Sequence, residues 1–217
     1  MKGGSGKSTA AMCLAACWMT RGLKAGVVDA DTSMTAARWA GAGEALADLS
    51  VRSAGDGDIL GAVESLEQQG TERIVIDTPG FRLPGADRAV LRADLIVVPI
   101  RPSPVDFQVA ADTVELVSEL TADRTPVPLR FLMTQANTSS VIARHMREEL
   151  TTAGYRLLKA ELPYRVGYSE APLLGSTPTL YQPRGAAARD IAALTDEVDS
   201  LLGVARKAPR KRARGRR

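Results

Sequence analysis

The first ten residues contain a glycine-rich stretch whose composition suits a phosphate group. They read MKGGSGKSTA, and an apolar helical pattern follows them. Glycines allow positive φ angles and let successive backbone N–H groups approach phosphate oxygens. Lys7 adds a cation, Ser8 offers a hydroxyl to Mg²⁺, and the start of a helix favours an anion. We therefore expect a nucleotide to bind through its phosphates to Gly3, Gly4, Ser5, Gly6, Lys7, Ser8 and Thr9.

An extra lysine distinguishes this loop from the common pattern G-x-x-x-x-G-K-[ST]. Met1 stands where that pattern has its first glycine, and Lys2 follows it. The resulting K-G-G-x-G-K-S resembles the deviant Walker A motif of the ParA/MinD superfamily of ATPases. The resemblance implies that Lys2 reaches across a dimer interface to the partner's ATP. A second cation supplied in trans neutralises phosphate charge only when two subunits enclose the nucleotide. An ordinary surface lysine is the alternative.

Carboxylates follow two of the predicted strands. VVDADTS carries Asp29 and Asp31 at the end of a predicted strand, and we expect only one of the two to point squarely at a phosphate site. The resemblance implies that Asp31 orients water and is linked to Mg²⁺, with Asp29 in support. RIVIDTPG ends its apolar run in Asp77, which resembles a Walker B aspartate that holds Mg²⁺, usually through water. The expected metal set is Ser8, Asp31 and Asp77, and the expected catalytic set is Lys2, Lys7 and Asp31.

The scaffold for these residues can be read from the alternation of short β-branched runs with longer helical patterns. This alternation is typical of βα units around a parallel sheet. It predicts strands over 25–30, 73–77, 94–100, 127–134 and 156–162, and helices near 8–22, 58–69, 106–120, 139–153 and 184–202. We expect an α/β P-loop NTPase fold: a twisted, mainly parallel sheet with helices on both faces and ligands at the carboxyl ends of the strands.

The strand that should carry the phosphate loop is not visible in the sequence. Only Met1 and Lys2 precede Gly3, whereas the resemblance implies a buried strand of about five to seven residues there. We expect this first strand to be missing, either because translation begins upstream of Met1 or because the chain has been shortened. Its neighbours in the sheet would then lack ladder partners, and folding and ATP binding would be weak.

The charge of the chain is unevenly distributed. Lys and Arg total 28 and Asp and Glu total 25, but residues 204–217 hold eight of the basic residues and no acid. The rest of the chain therefore carries a net charge of −5 and the end carries +8. We expect a ParA-like P-loop ATPase domain over 1–203 and a disordered basic tail over 204–217. An arm for nucleic acid is the favoured interpretation of the tail; a solubilising end is an alternative. A membrane-binding end is disfavoured because no apolar face accompanies the charge.

Later stretches extend the resemblance from Met1 to about Leu202. ADLIVVPIRPSPVDFQ and LPYRVGYSEAPLLGSTPTLYQP resemble partition-type proteins more than MinD. The resemblance implies a purine pocket near Thr134, in the loop 134–137, and in the segment after Pro163. It also implies DNA contacts from basic residues near the closing helix, to which we add the tail. The expected DNA-binding residues are Arg184, Arg189, Arg206, Lys207, Arg210, Lys211 and Arg212.

Together these features predict a ParA-type ATPase with ATP and Mg²⁺ as cofactors. It would form a homodimer on ATP, bind double-stranded DNA non-specifically, and hydrolyse ATP slowly until a ParB-like or other partner protein stimulates it. The cargo would be a plasmid, a chromosome or a protein assembly, and the location cytoplasmic and nucleoid-associated, with no membrane expected. Two alternatives remain: a MinD-like membrane-associated positioning ATPase and a P-loop small-molecule kinase or synthetase. Cys13 and Cys17, spaced i, i+4, are expected in the core rather than in a disulfide.

Overall fold

Helices and strands alternate along the chain, largely as the sequence patterns predict. The computed structural model describes residues 4–54, 58–79, 86–137 and 140–204. The strands in these ranges are β1 (Ala25–Asp29), β2 (Ser50–Ser53), β3 (Arg73–Asp77), β4 (Ile96–Ile100) and β5 (Leu129–Met133). The helices are α1 (Lys7–Thr20), α2 (Thr35–Gly41), α3 (Ile59–Gln68), α4 (Ala86–Arg92), α5 (Pro104–Leu120), α6 (Val141–Thr152), α7 (Val166–Glu170), α8 (Pro178–Tyr181) and α9 (Ala186–Leu201).

Among the described residues, the strands form two parallel sheets with a break between them. One sheet has the order β2-β1-β3, with Val27 opposite Val51 and Val75. The other pairs β4 with β5, with Val98 opposite Phe131. All residues of β1 are buried, whereas the first four residues of β3 and of β4 are only half-buried. At the break between the sheets, β3 and β4 thus each have one edge without a ladder partner among the described residues.

Helix α1 joins the two sheets because it packs against both β3 and β4. Every residue from Ala10 to Trp18 is buried, as expected for a helix that is apolar on all sides. One core cluster runs under α1 and contains Val27 from β1 and Leu132 from β5, with Val75 and Val97 packed against it. The hydrophobic core on this face is thus continuous although the hydrogen-bonded ladder is not.

The opposite face of the sheets carries two separate core clusters. Val28 packs with α3 and α4, while Phe131 and Met133 pack with α5 and α6. Since neighbouring residues of each strand point to opposite faces, helices cover both faces. The expected α/β P-loop NTPase fold, with a parallel sheet between helices, is confirmed.

The strand predicted over 156–162 is wrong in its central part. Leu157 and Leu162 form isolated parallel bridges with Phe131 and Thr134. Between these bridges, the backbone N–H groups of Lys159 and Ala160 donate to the carboxylate of Glu197 on α9 at 2.9 and 2.8 Å. The carboxylate thus takes the place of a ladder partner, and the pairing with β5 is interrupted.

The sequence patterns also missed the short elements β2, α2, α4, α7 and α8. Strand β2 lies at the edge of its sheet with half-buried and exposed residues, so it has no apolar run that would mark it. Cys13 and Cys17 are free and buried in α1, as predicted, and burial raises the pKa of both thiols. Within the described part of the chain, no helix has the length and apolar character needed to cross a bilayer.

Helix α9 is attached to the end of α1 by a buried polar cluster. The indole Nε1 of Trp18 donates to Asp199 Oδ1 at 2.8 Å. Arg21 donates to Asp199 Oδ2 at 3.1 Å and forms a second ion pair with Asp196 at 2.8 Å. Arg21 and Asp199 are only 6% and 3% exposed. A charge pair buried this deeply needs both partners, because either one alone would be left uncompensated.

Candidate nucleotide site

The glycine-rich loop ends at the N-terminus of α1, at the carboxyl ends of β3 and β4. Gly4 and Gly6 have φ angles of 126° and 86°, which L side chains rarely adopt. Gly6 is the residue that caps α1, and its left-handed backbone turns the chain into the helix. The first N–H groups of a helix have no partner within the helix. The loop therefore presents donors and the positive end of the helix dipole to an anion.

Two residues after β5 hold the loop in place. The Thr134 hydroxyl lies 2.8 Å from the carbonyl oxygen of Ser5 and 3.1 Å from that of Ile100, so it can donate to either. The side-chain amide of Gln135 donates to the carbonyl oxygen of Gly4. Gln135 has a φ of 52°, unusual for a residue other than glycine. The loop is thus tied by side chains to the residues that follow β5.

Thr134 and Pro163 were predicted as purine contacts. Thr134 is buried beneath the loop, and half-buried Pro163 follows Leu162, whose backbone hydrogen-bonds to Met133 and Gln135. Both residues thus lie at the same edge of the β4–β5 sheet as the loop, and their contact with a purine stays a prediction. The brace from Gln135 was not foreseen, because a positive φ at a glutamine leaves no signal in one sequence.

Asp77 lies on the opposite side of the loop, at the end of β3. It is 2% exposed, and its Oδ2 has no hydrogen-bond partner among the described residues. The pKa of Asp77 is raised to about 6, chiefly by burial; the nearby Asp29 and Asp31 also raise it, while a hydrogen bond from Ser8 and the charge of Lys7 lower it. A buried carboxylate oxygen without a partner is costly, and a cation beside it would remove that cost.

Asp29 and Asp31 lie in different surroundings because β1 ends at Asp29 and Asp31 belongs to the turn that follows. Asp29 is fully buried, and its two carboxylate oxygens accept the backbone N–H groups of Asp31 at 3.2 Å and Ala37 at 2.9 Å. Asp31 is half-buried, and its Oδ1 accepts the N–H of Ser33 at 2.8 Å. Asp29 therefore shapes the turn that presents Asp31. The role of Asp31 towards water and Mg²⁺ stays a prediction.

The donors around the loop fit a magnesium ion held mainly by a nucleotide. Within the described ranges, no three His, Cys, Asp or Glu side chains are grouped closely enough to hold a metal by themselves. Magnesium prefers oxygen ligands and usually keeps several waters, with one or two protein side chains and the substrate phosphates. The hydroxyl of Ser8 and the unpartnered oxygen of Asp77 are such donors.

The remaining members of the predicted phosphate set lie in the first turn of α1. Lys7 begins the helix, and Ser8 and Thr9 follow it as half-buried residues. Lys2 and Gly3 lie outside the described residues, so the proposed role of Lys2 across a dimer interface is not addressed by the structure.

Two of the predicted DNA-binding residues lie together at the start of α9. Arg184 and Arg189 are both exposed, and Arg189 Nη1 donates to the carbonyl oxygen of Arg184 at 2.7 Å. Nearby, Arg165 forms an ion pair with Asp190. The exposed pair is thus a small cationic surface. The other predicted residues fall outside the described part of the chain: Arg206, Lys207, Arg210, Lys211 and Arg212.

The sequence and the fold of this chain are similar to those of known nucleotide-binding proteins. The sequence profile of the CobQ/CobB/MinD/ParA nucleotide binding domain matches residues 1–178. "Maintenance of carboxysome distribution protein A" of Halothiobacillus neapolitanus is 26% identical over 209 residues, covering 93% of this chain and 91% of that protein. "Protein ParA" of Rhizobium radiobacter is 29% identical over 120 residues, covering 54% and 53% of the two chains.

A solved structure shows the same fold. The septum site-determining protein MinD of Pyrococcus horikoshii, in complex with Mg-ADP, superposes with a TM-score of 0.69 at 20% identity and covers 93% of this chain and 94% of that one. The family profile spans most of the chain and includes the loop, Asp31 and Asp77. This chain therefore belongs to the CobQ/CobB/MinD/ParA nucleotide-binding family.

Proposed function

We propose that this protein is a positioning ATPase that binds ATP and Mg²⁺ at the glycine-rich loop and hydrolyses ATP slowly on its own. The observation that carries the proposal is the meeting of Lys7 and Ser8 with the buried carboxylate of Asp77, whose Oδ2 has no hydrogen-bond partner among the described residues. Ser8 and Asp77, with Asp31, would hold Mg²⁺, which stabilises negative charge on the phosphates when bound. Asp31, presented by the turn that Asp29 holds, would orient the attacking water.

ATP would act by joining two copies of the chain. In this proposal, Lys2 of each copy contacts the nucleotide of the other, and the charge of ATP and Mg²⁺ holds the two subunits together. Hydrolysis removes a phosphate and weakens the contact, so the dimer separates. A partner protein, ParB-like or of another kind, would accelerate this step.

The dimer would bind double-stranded DNA through its cationic surfaces. The exposed Arg184 and Arg189 support this, together with the eight basic residues in 204–217. Because such contacts are made to phosphates, binding would be non-specific and strongly dependent on salt. The protein would then be cytoplasmic and associated with the nucleoid.

The cargo class is supported by the relatives rather than by the site. The relative from Halothiobacillus is named for carboxysome distribution, and the one from Rhizobium is named ParA. We therefore propose a large protein assembly as the cargo on equal terms with a plasmid or a chromosome. Positioning any of these three cargoes needs the same ATP-dependent binding to DNA.

A gel-shift assay on duplex DNA tests the proposal. The full chain is compared with a chain lacking residues 204–217, each with ATP, ADP or a non-hydrolysable ATP analogue and Mg²⁺. We expect binding only with ATP or its analogue. We also expect the double substitution of Arg184 and Arg189 by Ala to lower the slope of log K against log salt by up to about 0.9 for each DNA phosphate that is no longer neutralised. The control replaces Arg124 and Arg144, also exposed, by Ala.

Two results would contradict the proposal. DNA binding that is equal with ATP, ADP and no nucleotide would show that there is no ATP switch. Co-sedimentation with liposomes that needs ATP, in a protein that does not bind DNA, would favour the membrane-associated alternative. For the small-molecule kinase alternative, Lys2→Ala is decisive: a monomeric kinase keeps its turnover, whereas the proposed dimer no longer forms on ATP.

A further inference from the structure

The glycine-rich loop has a cationic side chain on one side and acidic side chains on the other. Strand β3 ends in Asp77, and Asp29 and Asp31 lie beside it. Strand β4 ends at Ile100, so the next residue, Arg101, reaches the same edge of the fold. A nucleotide bound at the loop would therefore have carboxylates and magnesium on its β3 side and a guanidinium on its β4 side.

Arg101 is held in one orientation by Asp106, in the first turn of α5. The backbone N–H of Arg101 donates to Asp106 Oδ2 at 2.8 Å, Nε donates to the same oxygen at 3.2 Å, and Nη2 donates to Oδ1 at 3.0 Å. Asp106 is 5% exposed. Ser103 fixes the carboxylate further, because its hydroxyl lies 3.2 Å from Oδ1 and accepts the N–H of Asp106.

The remaining nitrogen of Arg101 points to the loop. Nη1 makes no hydrogen bond within the described part of the chain, and it lies 3.7 Å from the place that a Cβ on Gly4 would occupy. The Arg101 side chain keeps 35% of its surface exposed, so the guanidinium is not sealed off. An arginine whose other donors are fixed by a carboxylate loses little freedom when its last amino group binds a ligand.

We propose that Arg101 binds the phosphate chain of the nucleotide from the β4 side within the same subunit, and that Asp106 is its positioning residue. This rests on the proposed ATP binding at the loop and adds a third cation to Lys7 and Lys2. Guanidinium groups suit phosphate oxygens because their N–H donors carry charge and have a fixed geometry. The pairing with Asp106 uses Nε and Nη2, so Nη1 can contact a phosphate without breaking it.

The charge of the ligand decides which nucleotide depends most on Arg101. A triphosphate carries more negative charge than a diphosphate, so removal of the guanidinium weakens ATP binding more than ADP binding. Because Asp106 belongs to α5, the same contact links the nucleotide to the proline-containing turn where α5 begins. The guanidinium would therefore connect a nucleotide bound at the loop directly to that helix.

Nucleotide affinity, measured by fluorescence anisotropy with Mg²⁺ and labelled non-hydrolysable ATP analogue or labelled ADP, tests this role. For Arg101→Gln we expect the Kd of the ATP analogue to rise about 10- to 100-fold, the loss of a hydrogen bond from a charged group, and the Kd of ADP to rise less. Arg101→Lys keeps the charge but loses the paired geometry and should fall between. Arg130→Gln is the matched control, because Arg130 lies at the end of β5 that is far from the glycine-rich loop. This variant should bind both nucleotides as the unaltered protein does.

A double variant separates phosphate binding from a purely structural role. Arg101→Gln leaves Asp106 buried and charged, whereas Arg101→Gln with Asp106→Asn replaces the ion pair by a neutral pair that can hydrogen-bond. We expect the double variant to melt close to the unaltered protein yet to keep the weak ATP-analogue affinity. Recovery of full affinity in the double variant, or unchanged affinity in Arg101→Gln, would overturn the proposal. If the unaltered protein binds neither nucleotide, the proposed function itself fails, and this role of Arg101 with it.

Discussion

Replacement of Asp77 by Asn should make the ligand-free protein more stable while removing its response to magnesium nucleotide. In the folded chain the pKa of Asp77 rises from the ordinary 3.8 to about 6, chiefly through burial. The folded state therefore binds a proton at Asp77 more tightly than the unfolded state does. As pH rises from about 4 to about 6, the free energy of unfolding falls, and above that range the full loss remains.

The size of this loss follows from the shift of about two pKa units, each of about 1.4 kcal/mol. Asp77→Asn cannot ionise, so at pH 7.5 its free energy of unfolding should exceed that of the unaltered protein by at most about 3 kcal/mol. At pH 5 Asp77 is already largely protonated when folded, and the advantage should fall to about half of that value. The neighbours Asp29, Asp31 and Lys7 are unchanged in both proteins.

Urea unfolding at pH 7.5 and pH 5, without nucleotide, measures both values. The control Asp48→Asn removes an equal charge from an exposed position and should show no comparable difference between the two pH values. In a second series, ATP analogue and Mg²⁺ should stabilise the unaltered protein but not Asp77→Asn. The reasoning is refuted if Asp77→Asn is no more stable than the unaltered protein at pH 7.5, or if its advantage is the same at pH 5.

Three further predictions concern parts of the fold that support the site. Asp199→Ala should lower the free energy of unfolding by about 3 kcal/mol, because it leaves Arg21 buried without one of its carboxylates; a decrease below about 1 kcal/mol in urea unfolding would contradict this. Thr134→Val removes the hydroxyl that contacts Ser5 and should weaken nucleotide binding several-fold with little change in melting temperature, whereas unchanged affinity would show that the brace is dispensable. An N-terminal extension with the β-branched composition of β1 should pair with β3 and β4, raising both the melting temperature and the ATP affinity, while the same extension interrupted by prolines should not. Equal values with and without the extension would refute the idea that a strand fits there.

Prediction from the sequence worked best where the residues of a functional motif are neighbours along the chain. The loop and Asp77 could be predicted because a glycine-rich turn before a helix and an apolar strand ending in Asp are local patterns. The strand 73–77 was predicted to the residue, since a β-branched apolar run that ends in Asp has clear limits. Contacts between distant residues were not predictable. The hydrogen bonds of Glu197 that interrupt the predicted strand 156–162 join residues about 38 positions apart, and nothing local marks them.

The residues around Arg101 show a second limit. The motif IRPSPVD was recognised from its resemblance, but its arginine carried no predicted role. Its orientation depends on a carboxylate five residues later, at the start of the next helix, and its Nη1 lies near a loop almost a hundred residues earlier. Such an arrangement is created by the meeting of three elements, and only the folded chain reveals it.

The contacts that fix α9 to the rest of the fold limit how ATP could control the proposed binding to DNA. The helix is joined to α1 through Trp18 and Asp199, and to the segment after β5 through Glu197. The exposed Arg189 is therefore fixed to α1, the helix whose N-terminus would face the nucleotide. A change of state cannot easily turn this surface within one subunit. In the proposed function, ATP would instead change the number of such surfaces that are joined together, so that two weak contacts with the same duplex would act as one strong contact through effective concentration.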